Sequence, residues 1–336
     1  MGEFELIERF FKRPAAQAGP TIALGIGDDC ALLQPTPGTQ LAVSSDMLVE
    51  GRHFFPDVDP AALGHKALAV NLSDLAACGA KPVAFTLALA LPEAREAWLL
   101  PFARGLLALA DEHHCTLIGG DTTRGPLNIC ITVFGEIPIV NGKSQALRRS
   151  GAKPGDDIYV SGTLGEARLA LEVLRGTVSV PAEVLAEARL RLERPTPRVA
   201  LGMALCGIAT AAIDVSDGLL GDLGHILQAS KAGATVQIDS TTILIANYLY
   251  RPWGNAVFDH FVSKKQALGY VLAGGDDYEL AFTAPASRRD AVQAAALTAG
   301  VPVTRIGQID PQPGIRLVDA QGNVVPGQPA SFDHFA

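Results

Sequence analysis

The sequence predicts a two-domain protein of the α/β (or α+β) class, and three observations carry this prediction. The chain has 336 residues, enough for two domains of about 150 residues with separate cores. Strand-like and helix-like segments alternate along it, which favours sheets covered by helices over a helical bundle. Residues 139–157 are rich in polar residues, Gly, Lys and Arg. We place the boundary there, with domains at 1–140 and 141–336.

The first half is predicted to alternate strands and helices. A short helix with an apolar stripe ends at Pro14. Asp59 is the expected N-cap of a helix that runs from Pro60 to about Ala77, and Gly79 is its expected C-cap. The other expected elements are strands at 41–45, 83–91, 116–118 and 127–137 and a helix at about 93–112.

The second half is predicted to repeat this alternation. A strand at 158–160 leads into one helical stretch from about 164 to 192, which Pro195 and Pro197 terminate. The elements expected after it are a helix that ends near 206, strands at 211–215, 278–283 and 303–308, and helices at 217–230 and 287–299.

The composition argues against several classes of function. The chain has 27 Lys and Arg against 35 Asp and Glu, a formal charge of −8, so neither nucleic acid nor an anionic membrane is expected as a partner. No apolar run approaches the roughly 20 residues of a membrane span. The charged start lacks the character of a secretory or transit peptide. Five cysteines without a C-x-x-C pair predict a reduced, cytoplasmic protein.

Acidic residues are concentrated in six short segments of Gly, Asp, Ser and Thr beside apolar strands. The segments are 25–29 (GIGDD), 44–46 (SSD), 71–74 (NLSD), 119–123 (GGDTT), 214–217 (DVSD) and 274–277 (GGDD). Each is predicted to be a turn that places carboxylates at a sheet edge. Like charges repel unless a cation lies among them, and oxygen donors alone suit Mg²⁺ better than Zn²⁺. Asp, Ser and Gly are also ordinary turn residues, so the prediction of metal–phosphate chemistry depends on all six segments.

The familiar nucleotide-binding motifs are not found. The sequence has no Walker A motif, no G-x-G-x-x-G and no H-R-D or D-F-G set. Phosphate would therefore be held by metal ions, Gly amides and isolated cations such as Arg149. His53 follows segment 44–46, and a lone histidine of this kind is more often structural than functional.

Seven collinear motifs resemble those of the thiamine-monophosphate kinase family. They are GIGDDCALL (25–33), SSDMLVEGRHF (44–54), KALAVNLSDLAACGAKP (66–82), GGDTTRGP (119–126), RSGAKPGD (149–156), IDVSDGLLGDLGHI (213–226) and GGDDYELAFT (274–283). The similarity extends from Gly2 to Phe335. The family belongs to the superfamily that includes aminoimidazole ribonucleotide synthetase.

The resemblance implies a fold like that of aminoimidazole ribonucleotide synthetase. An N-terminal mixed sheet with helices on one face would bind ATP and Mg²⁺ and join two copies into a homodimer. A C-terminal α/β domain would complete the substrate site. The implied activity is ATP-dependent phosphorylation of thiamine monophosphate to thiamine diphosphate, with several Mg²⁺ ions and with ATP as co-substrate.

The resemblance also implies site residues, position by position. Those at metal-binding positions are Asp29, Ser44, Ser45, Asp46, Asp74, Asp121, Asp214 and Asp217, of which Asp46, Asp74 and Asp121 are also the expected catalytic residues. Those at ATP-binding positions are Asp29, Gly120, Asp121, Arg149 and Ser216. Those at thiamine-phosphate positions are His53, Asp276 and Phe332. Relatives often carry Glu where this chain has Asp276, and an aromatic residue with a polar tip can occur in place of Phe332.

Two alternatives stay open at this stage. Another ATP-dependent member of the superfamily, such as aminoimidazole ribonucleotide synthetase or selenophosphate synthetase, would share the acidic segments. Selenophosphate synthetase resembles this chain less, because no reactive Cys lies in a Gly-rich N-terminal segment and Cys30 leads into an apolar run. A Mg-nucleotide sensor without catalytic activity would be expected to have lost one or more acidic segments, and none is missing here.

Overall fold

The computed structural model describes residues 2–13, 21–239 and 262–326. The chain divides into two compact units. The first comprises Met1–Leu75 and Ala80–Ala146, and the second comprises Ala76–Gly79 and Leu147–Ala336. Phe332, which the sequence assigns to the substrate site, lies outside the described residues.

The main sheet of the first unit is mixed. The helices of this unit are α1 (Glu3–Leu6), which continues as a π-helical turn over Ile7–Phe11, α2 (Pro60–Cys78) and α3 (Glu96–Glu112). The strands are β1 (Ile22–Leu24), β2 (Leu32–Leu33), β3 (Thr39–Val49), β4 (Lys81–Leu91), β5 (Thr116–Arg124), β6 (Asn128–Val140) and β7 (Lys143–Ser144). The strand order is β3–β6–β4–β5, with β7 paired to β6. Only β4 and β5 run parallel among these pairs, and β1 pairs with β2 separately.

One face of this sheet is buried, and the other is open along the edge strand β3 but packs against Ile22 and Leu33 near Ala84. Phe85 and Leu87 of β4 and Ile131 and Val133 of β6 are at most 5% exposed. The side chains of the edge strand β3 that point to the other face are much more accessible, and Val43 is 58% exposed. This asymmetry is what a sheet with helices on one face requires.

Helices α2 and α3 pack closely because glycine allows their backbones to touch. A side chain at Gly105 of α3 would overlap the carbonyl oxygen of Ala61 in α2. The beginning of α2 is capped as the sequence predicts, because the Ala62 N–H donates to Asp59 Oδ1 at 2.8 Å. Gly79 follows the helix with φ of +70°, the left-handed conformation expected after a helix end.

The second unit is built on a six-stranded sheet with the order β13–β10–β12–β8–β11–β9. Its strands are β8 (Asp156–Ser161), β9 (Ala211–Val215), β10 (Gly233–Gln237), β11 (Glu279–Pro285), β12 (Val303–Asp310) and β13 (Gly314–Val318). Its helices are α4 (Glu166–Leu174), α5 (Ala182–Glu193), α6 (Val199–Leu205), α7 (Leu219–Ser230), α8 (Lys264–Ala273) and α9 (Arg289–Ala299). Neighbouring strands are antiparallel except β10 and β13.

Both faces of the second sheet are covered. Ile158, Val160 and Ala281 point into a core that also contains residues of α4, α7 and α8. Tyr159 and Phe282 alternate with them and stack on the other face, with ring centroids 5.2 Å apart. The predicted helix over 164–192 is wrong in one respect. It is two helices, α4 and α5, since the connection between them contains the left-handed Gly176 and ends with Pro181.

Within these described ranges, no helix has both the length and the apolar character needed to cross a membrane.

Candidate functional site

Three of the six acidic segments lie inside regular secondary structure, so the prediction that they are turns is wrong for them. Segment 44–46 is inside β3, segment 71–74 is inside α2, and segment 119–123 is inside β5. Neighbouring strands pair with each residue of the two strand segments, and this pairing outweighs the turn preference of Gly, Asp and Ser. A side chain at Gly120 would overlap the carbonyl oxygen of Leu87, so β5 needs glycine there.

The other three segments are connections, as predicted. Segment 25–29 joins β1 to β2, segment 214–217 forms the end of β9 and the turn after it, and segment 274–277 joins α8 to β11.

A polar contact between β3 and α2 brings several of the predicted residues together. The Ser44 hydroxyl donates to Asp74 Oδ2 at 2.5 Å. Asp46 lies on the same face of β3, two residues further on, and its N–H donates to Asn71 Oδ1 at 3.1 Å. The Asn71 side chain is itself fixed by donating to the Ala67 carbonyl oxygen at 3.0 Å. Asn71 and Asp74 are three residues apart and share one face of α2, so the helix places both against the strand.

Asp121 is distant from Asp46 within this unit. The strand order places β3 and β5 at opposite edges of the main sheet. In the register, Asp46 is opposite Ile131, Ile131 is opposite Leu87, and Leu87 is opposite Gly120, which precedes Asp121. Three strand spacings amount to about 14 Å along the sheet. One ion therefore cannot bind Asp46 and Asp121 of the same chain together.

The Ser45 hydroxyl points away from Ser44 and Asp74. It donates to the Ile131 carbonyl oxygen at 3.2 Å and lies 2.9 Å from Thr132 Oγ1, on the open face of the sheet. Successive side chains of a strand alternate between faces, so this follows directly from the position of Ser44. A metal ion bound at Ser44 and Asp74 could be reached from Ser45 only by its main-chain carbonyl group.

His53 and Asp29 occupy separate parts of the first unit. The Val49 N–H donates to His53 Nδ1 at 3.0 Å, so this nitrogen is an acceptor. In a neutral imidazole the proton is then on Nε2, so Nε2 has the character of a donor. Asp29 is exposed in the connection between β1 and β2, where its N–H donates to Asp28 Oδ1 at 2.8 Å.

In the second unit, the loop at 216–218 carries two predicted residues and is organised by one that the sequence did not reveal. Asp214 is buried in β9, and Ser216 and Asp217 follow it. The N–H groups of residues 216, 217 and 218 all donate to Asp222 Oδ2 at 3.1 Å. Burial raises the pKa of Asp222 to about 7, although the three N–H groups act in the opposite direction. The sequence signal that could have identified Asp222 is an acidic residue in the first turn of a helix.

The connection at 274–278 is packed against this loop. The Asp276 N–H donates to the Ser216 carbonyl oxygen at 2.8 Å, and the Tyr278 N–H donates to that of Val215 at 2.9 Å. Gly275, Asp276 and Tyr278 all have positive φ, of 73°, 60° and 51°. Such conformations are unfavourable for Asp and Tyr and are often found at functional sites. The structure thus places Asp276 beside Ser216 and Asp217.

Beside this connection lies a buried ionic network that no sequence pattern indicates. Glu279 is fully buried and accepts hydrogen bonds from Ser161, Arg191 and Arg198. Asp277 is also buried and accepts from the Gly165 N–H at 2.9 Å. Burial raises the pKa of Asp277 well above its ordinary value, against the opposing effect of Arg191. Partners separated by as many as 118 residues leave no local pattern that sequence reading could detect.

Arg149 is exposed on the second unit, and its main chain is anchored. The Ser230 hydroxyl donates to the Arg149 carbonyl oxygen at 3.2 Å and accepts from the N–H groups of Gly151 and Ala152, each at 3.1 Å. The guanidinium group is thus carried on a fixed backbone with its charge accessible to an anion.

The donors fit Mg²⁺ in their chemistry. They are carboxylate and hydroxyl oxygens, the ligands that Mg²⁺ prefers. No three His, Cys, Asp or Glu side chains of residues 2–13, 21–239 and 262–326 are grouped closely enough to hold a metal ion. Mg²⁺ in phosphoryl-transfer sites is usually held by one or two carboxylates together with substrate phosphates. The Ser44–Asp74 pair and Asp121 fit that mode of binding better than a closed protein cage.

Comparison with known proteins gives a full-length match. Family models described as AIR synthase related protein, N-terminal domain and C-terminal domain, match residues 27–137 and 153–320. Thiamine-monophosphate kinase of Salmonella typhimurium is 47% identical over 341 residues, which cover 100% of this chain and 98% of that protein.

Solved structures give the same result. The crystal structure of thiamine-monophosphate kinase from Stenotrophomonas maltophilia K279a has a TM-score of 0.81 and 45% identity, and the match covers 97% of this chain and 98% of that one. AaThiL, complexed with AMPPCP and TMP, has a TM-score of 0.71 and 26% identity, with coverage of 90% and 89%.

The mixed sheet of the first unit, the α/β second unit and the two family models define a protein of the AIR synthase related class. The fold class predicted from the sequence is therefore confirmed. Within this class, the chain belongs to the thiamine-monophosphate kinase family, as the motif resemblance predicts.

Proposed function

We propose that this chain phosphorylates thiamine monophosphate to thiamine diphosphate, with ATP as the phosphoryl donor and by direct in-line transfer. The observation that carries the proposal is the 47% identity to the Salmonella typhimurium thiamine-monophosphate kinase over the whole chain. AaThiL, which shares the fold, is complexed with the ATP analogue AMPPCP and with TMP, and this supports both substrates.

The residues proposed for nucleotide binding suit a nucleotide in their individual chemistry. Arg149 offers an exposed cation to phosphate oxygens, and Ser216 offers a hydroxyl donor from a loop held by Asp222. Gly120 has no side chain to obstruct the approach of a phosphate. Asp29 and Asp121 are exposed carboxylates, which suit a nucleotide that carries its own cations.

The residues proposed for the acceptor match the chemistry of thiamine monophosphate, which joins a cationic thiazolium ring to a phosphate. His53 provides an Nε2–H donor for the phosphate. Asp276 provides a carboxylate for the cation, held in place through its N–H by Ser216. In this proposal, Phe332 provides an aromatic surface for the cationic ring.

The proposed metal ligands are Asp29, Asp46, Asp74, Asp121, Asp214 and Asp217, with Ser44 and Ser45. When bound, Mg²⁺ would neutralise phosphate charge and so favour the approach of the two polyanionic substrates. Asp74 is positioned for this role by the Ser44 hydroxyl, and Asp217 by the loop that Asp222 organises. The separation of Asp46 from Asp121 requires more than one ion.

We also propose that the active form is a homodimer. The open face of the first sheet carries Leu41, Val43 and Met47, which are 39%, 58% and 52% exposed. Apolar side chains in a row on a sheet face are stabilised by covering them, and a second copy would do so. Light scattering of the chain and of its Val43→Asp variant tests this, since the variant should be monomeric. A cytoplasmic location stays a prediction of the sequence.

One experiment separates the proposed function from its alternatives. ATP consumption is measured with thiamine monophosphate, with an aminoimidazole ribonucleotide precursor, and with no acceptor. We expect ADP and thiamine diphosphate to form in equal amounts only with thiamine monophosphate. Consumption only with the precursor would establish a synthetase instead, and nucleotide binding without consumption in any arm would establish a sensor.

A further inference from the structure

The loop at 216–218 is arranged around one carboxylate oxygen. Asp222, four residues beyond Gly218, is 3% exposed. Its Oδ2 atom accepts three hydrogen bonds of 3.1 Å, from the N–H groups of Ser216, Asp217 and Gly218. Three successive amides that converge on one point form the kind of concave site that binds anions at the beginning of many helices. Here the protein fills that site with its own side chain.

This arrangement has a consequence for nucleotide binding. The amides at the beginning of α7 are engaged by Asp222, so they cannot serve as the phosphate-binding amides of a P-loop. The groups of this loop that can donate a hydrogen bond to a phosphate or offer a carboxylate to a cation are therefore the side chains of Ser216 and Asp217. Their positions depend on the loop backbone, and that backbone depends on Asp222.

Two further constraints keep the loop in this conformation. Gly218 has φ of +115°, and a side chain there would lie 2.8 Å from the backbone of Ala273. Gly275 approaches the Ser216 carbonyl oxygen so closely that a Cβ would lie 2.7 Å from it. The loop is thus enclosed by α8 and the following connection, and Asp222 provides the hydrogen-bond acceptor that its amides need.

We propose that Asp222 is a positioning residue for nucleotide binding. Its carboxylate holds the main chain of 216–218 so that the side chains of Ser216 and Asp217 are preorganised for Mg-ATP. This inference rests on the proposed function, because it takes ATP as the ligand of this loop. It adds a residue that touches neither substrate and that the sequence motifs do not assign to the site.

The test compares Asp222→Asn and Asp222→Ala with the unchanged chain. Asn keeps the shape and one acceptor oxygen, whereas Ala leaves three amides without an acceptor. The dissociation constant of AMPPCP with Mg²⁺ is measured by calorimetry, together with the KM values for ATP and thiamine monophosphate. For Ala we expect the AMPPCP constant and the KM for ATP to rise about tenfold or more, since hydrogen bonds to a charged group are lost. For Asn we expect the same two constants to rise by a smaller factor, about threefold. In both variants the KM for thiamine monophosphate should rise less than about threefold.

Asp157→Asn is the matched control for loss of a buried carboxylate. Asp157 is fully buried in the same unit and is held by Arg289 and Arg305, away from the loop. We expect this variant to lower the melting temperature without changing the AMPPCP dissociation constant. Equal weakening of AMPPCP binding by the Asp157 and Asp222 variants would overturn the proposal, because it would reveal a general effect of destabilisation.

The remaining outcomes are also decisive. A folded Asp222→Ala variant that binds AMPPCP as tightly as the unchanged chain overturns the inference. If the Ala variant does not fold, the isosteric Asn variant decides, and unchanged binding there has the same meaning. Failure of the proposed function is seen separately, as an unchanged chain that makes no thiamine diphosphate. If the unchanged chain also fails to bind AMPPCP, both proposals are wrong.

Discussion

Ser44 and Asp74 are 30 residues apart and are joined by a hydrogen bond from the Ser44 hydroxyl to Asp74 Oδ2. The bond links the middle of β3 to the last quarter of α2 and fixes the rotation of the Asp74 carboxylate. A carboxylate held in this way can present its other lone pairs to a cation without a further loss of side-chain entropy. The pair is the most clearly preorganised part of the proposed metal site in the first unit.

The Asp74→Asn variant tests whether the charge of this carboxylate is required. The amide can still accept from Ser44, so we expect a folded protein, while kcat should fall on the order of a hundredfold or more because cation affinity is lost. Excess Mg²⁺ should restore part of the activity. Asp111→Asn is the control, since it makes the same change of charge at an exposed ion pair with Arg13. Full activity of the Asp74 variant would remove this residue from the proposed site.

Mg²⁺ and ATP together should stabilise the protein by more than the sum of their separate effects. The sequence led us to expect many carboxylates around one point, whereas β3 and β5 lie at opposite edges of the sheet. Sites that share their ions with phosphate bind each component weakly without the other. At a hundredfold excess over its dissociation constant, a ligand adds about 2.7 kcal/mol to the free energy of unfolding. Melting curves with Mg²⁺, ATP and both test this, and purely additive shifts would contradict a shared site.

Local signals were sufficient to predict some elements of this fold. The cap at Asp59 and the beginning of α2 at Pro60 follow from two adjacent residues, and the left-handed conformation after the helix follows from the glycine at position 79. The alternation of strands and helices likewise predicts the class, because it depends on short-range periodicity.

The features that the sequence could not predict depend on contacts between residues that are far apart in the chain. Segment 119–123 reads as a turn, yet its pairing with β4 makes it a strand. Asp277 lies within one of the site motifs, but its partner Gly165 is 112 residues away in the chain. Contacts of this kind are set by tertiary packing, which periodicity and turn preference do not record.

Asp277 should make the stability of the protein depend on pH with a definite sign. Its pKa is raised in the folded state by burial, among Glu166, Glu279 and Arg191. A raised pKa means that the folded state retains a proton that the unfolded state releases. The contribution of Asp277 to the free energy of unfolding is therefore largest below the unfolded pKa of about 4 and falls as pH rises toward the folded pKa.

The Asp277→Asn variant cannot titrate at this position. We expect its melting temperature to improve relative to the unchanged chain as pH increases from 5 to 8. Asp157→Asn should not show this trend, because a hydrogen bond from Arg289 lowers the pKa of Asp157. The contribution of Asp157 is therefore fully present above its unfolded pKa and is lost only in acid. A constant difference between the Asp277 variant and the unchanged chain across this pH range would show that Asp277 stays ionised.

Asp276 should determine the affinity for the acceptor. In the proposal its carboxylate faces the cationic ring of thiamine monophosphate, so Asp276→Ala should raise the KM for this substrate about tenfold while that for ATP changes less than twofold. Asp276→Glu keeps the charge and adds one methylene, and it should retain most of the affinity. An equal rise in both KM values for the Ala variant would show that the residue supports the neighbouring Ser216 loop instead.

The last prediction concerns the chemical step, which we expect to proceed without a phosphoenzyme. The acceptor is a phosphate monoester whose second pKa is about 6, so its oxygen is already largely ionised at neutral pH and needs no strong general base. A covalent route would need an activated side chain with an adjacent base, and the described site residues provide carboxylates, hydroxyls and an imidazole whose Nδ1 is engaged by the backbone. The requirement is instead to hold two polyanions together against their repulsion, for which carboxylate-bound cations are suited.

Two measurements test this mechanism. Incubation with γ-labelled ATP in the absence of thiamine monophosphate should leave no label on the protein after denaturation. With a chiral γ-phosphoryl group, the product should show inversion at phosphorus, because a single in-line displacement inverts and a double displacement through the enzyme retains the configuration. Retention, together with a labelled protein that passes its phosphate to thiamine monophosphate at the turnover rate, would overturn direct transfer. Inversion without label would mean that Asp46, Asp74 and Asp121 act through the ions they hold rather than as nucleophiles.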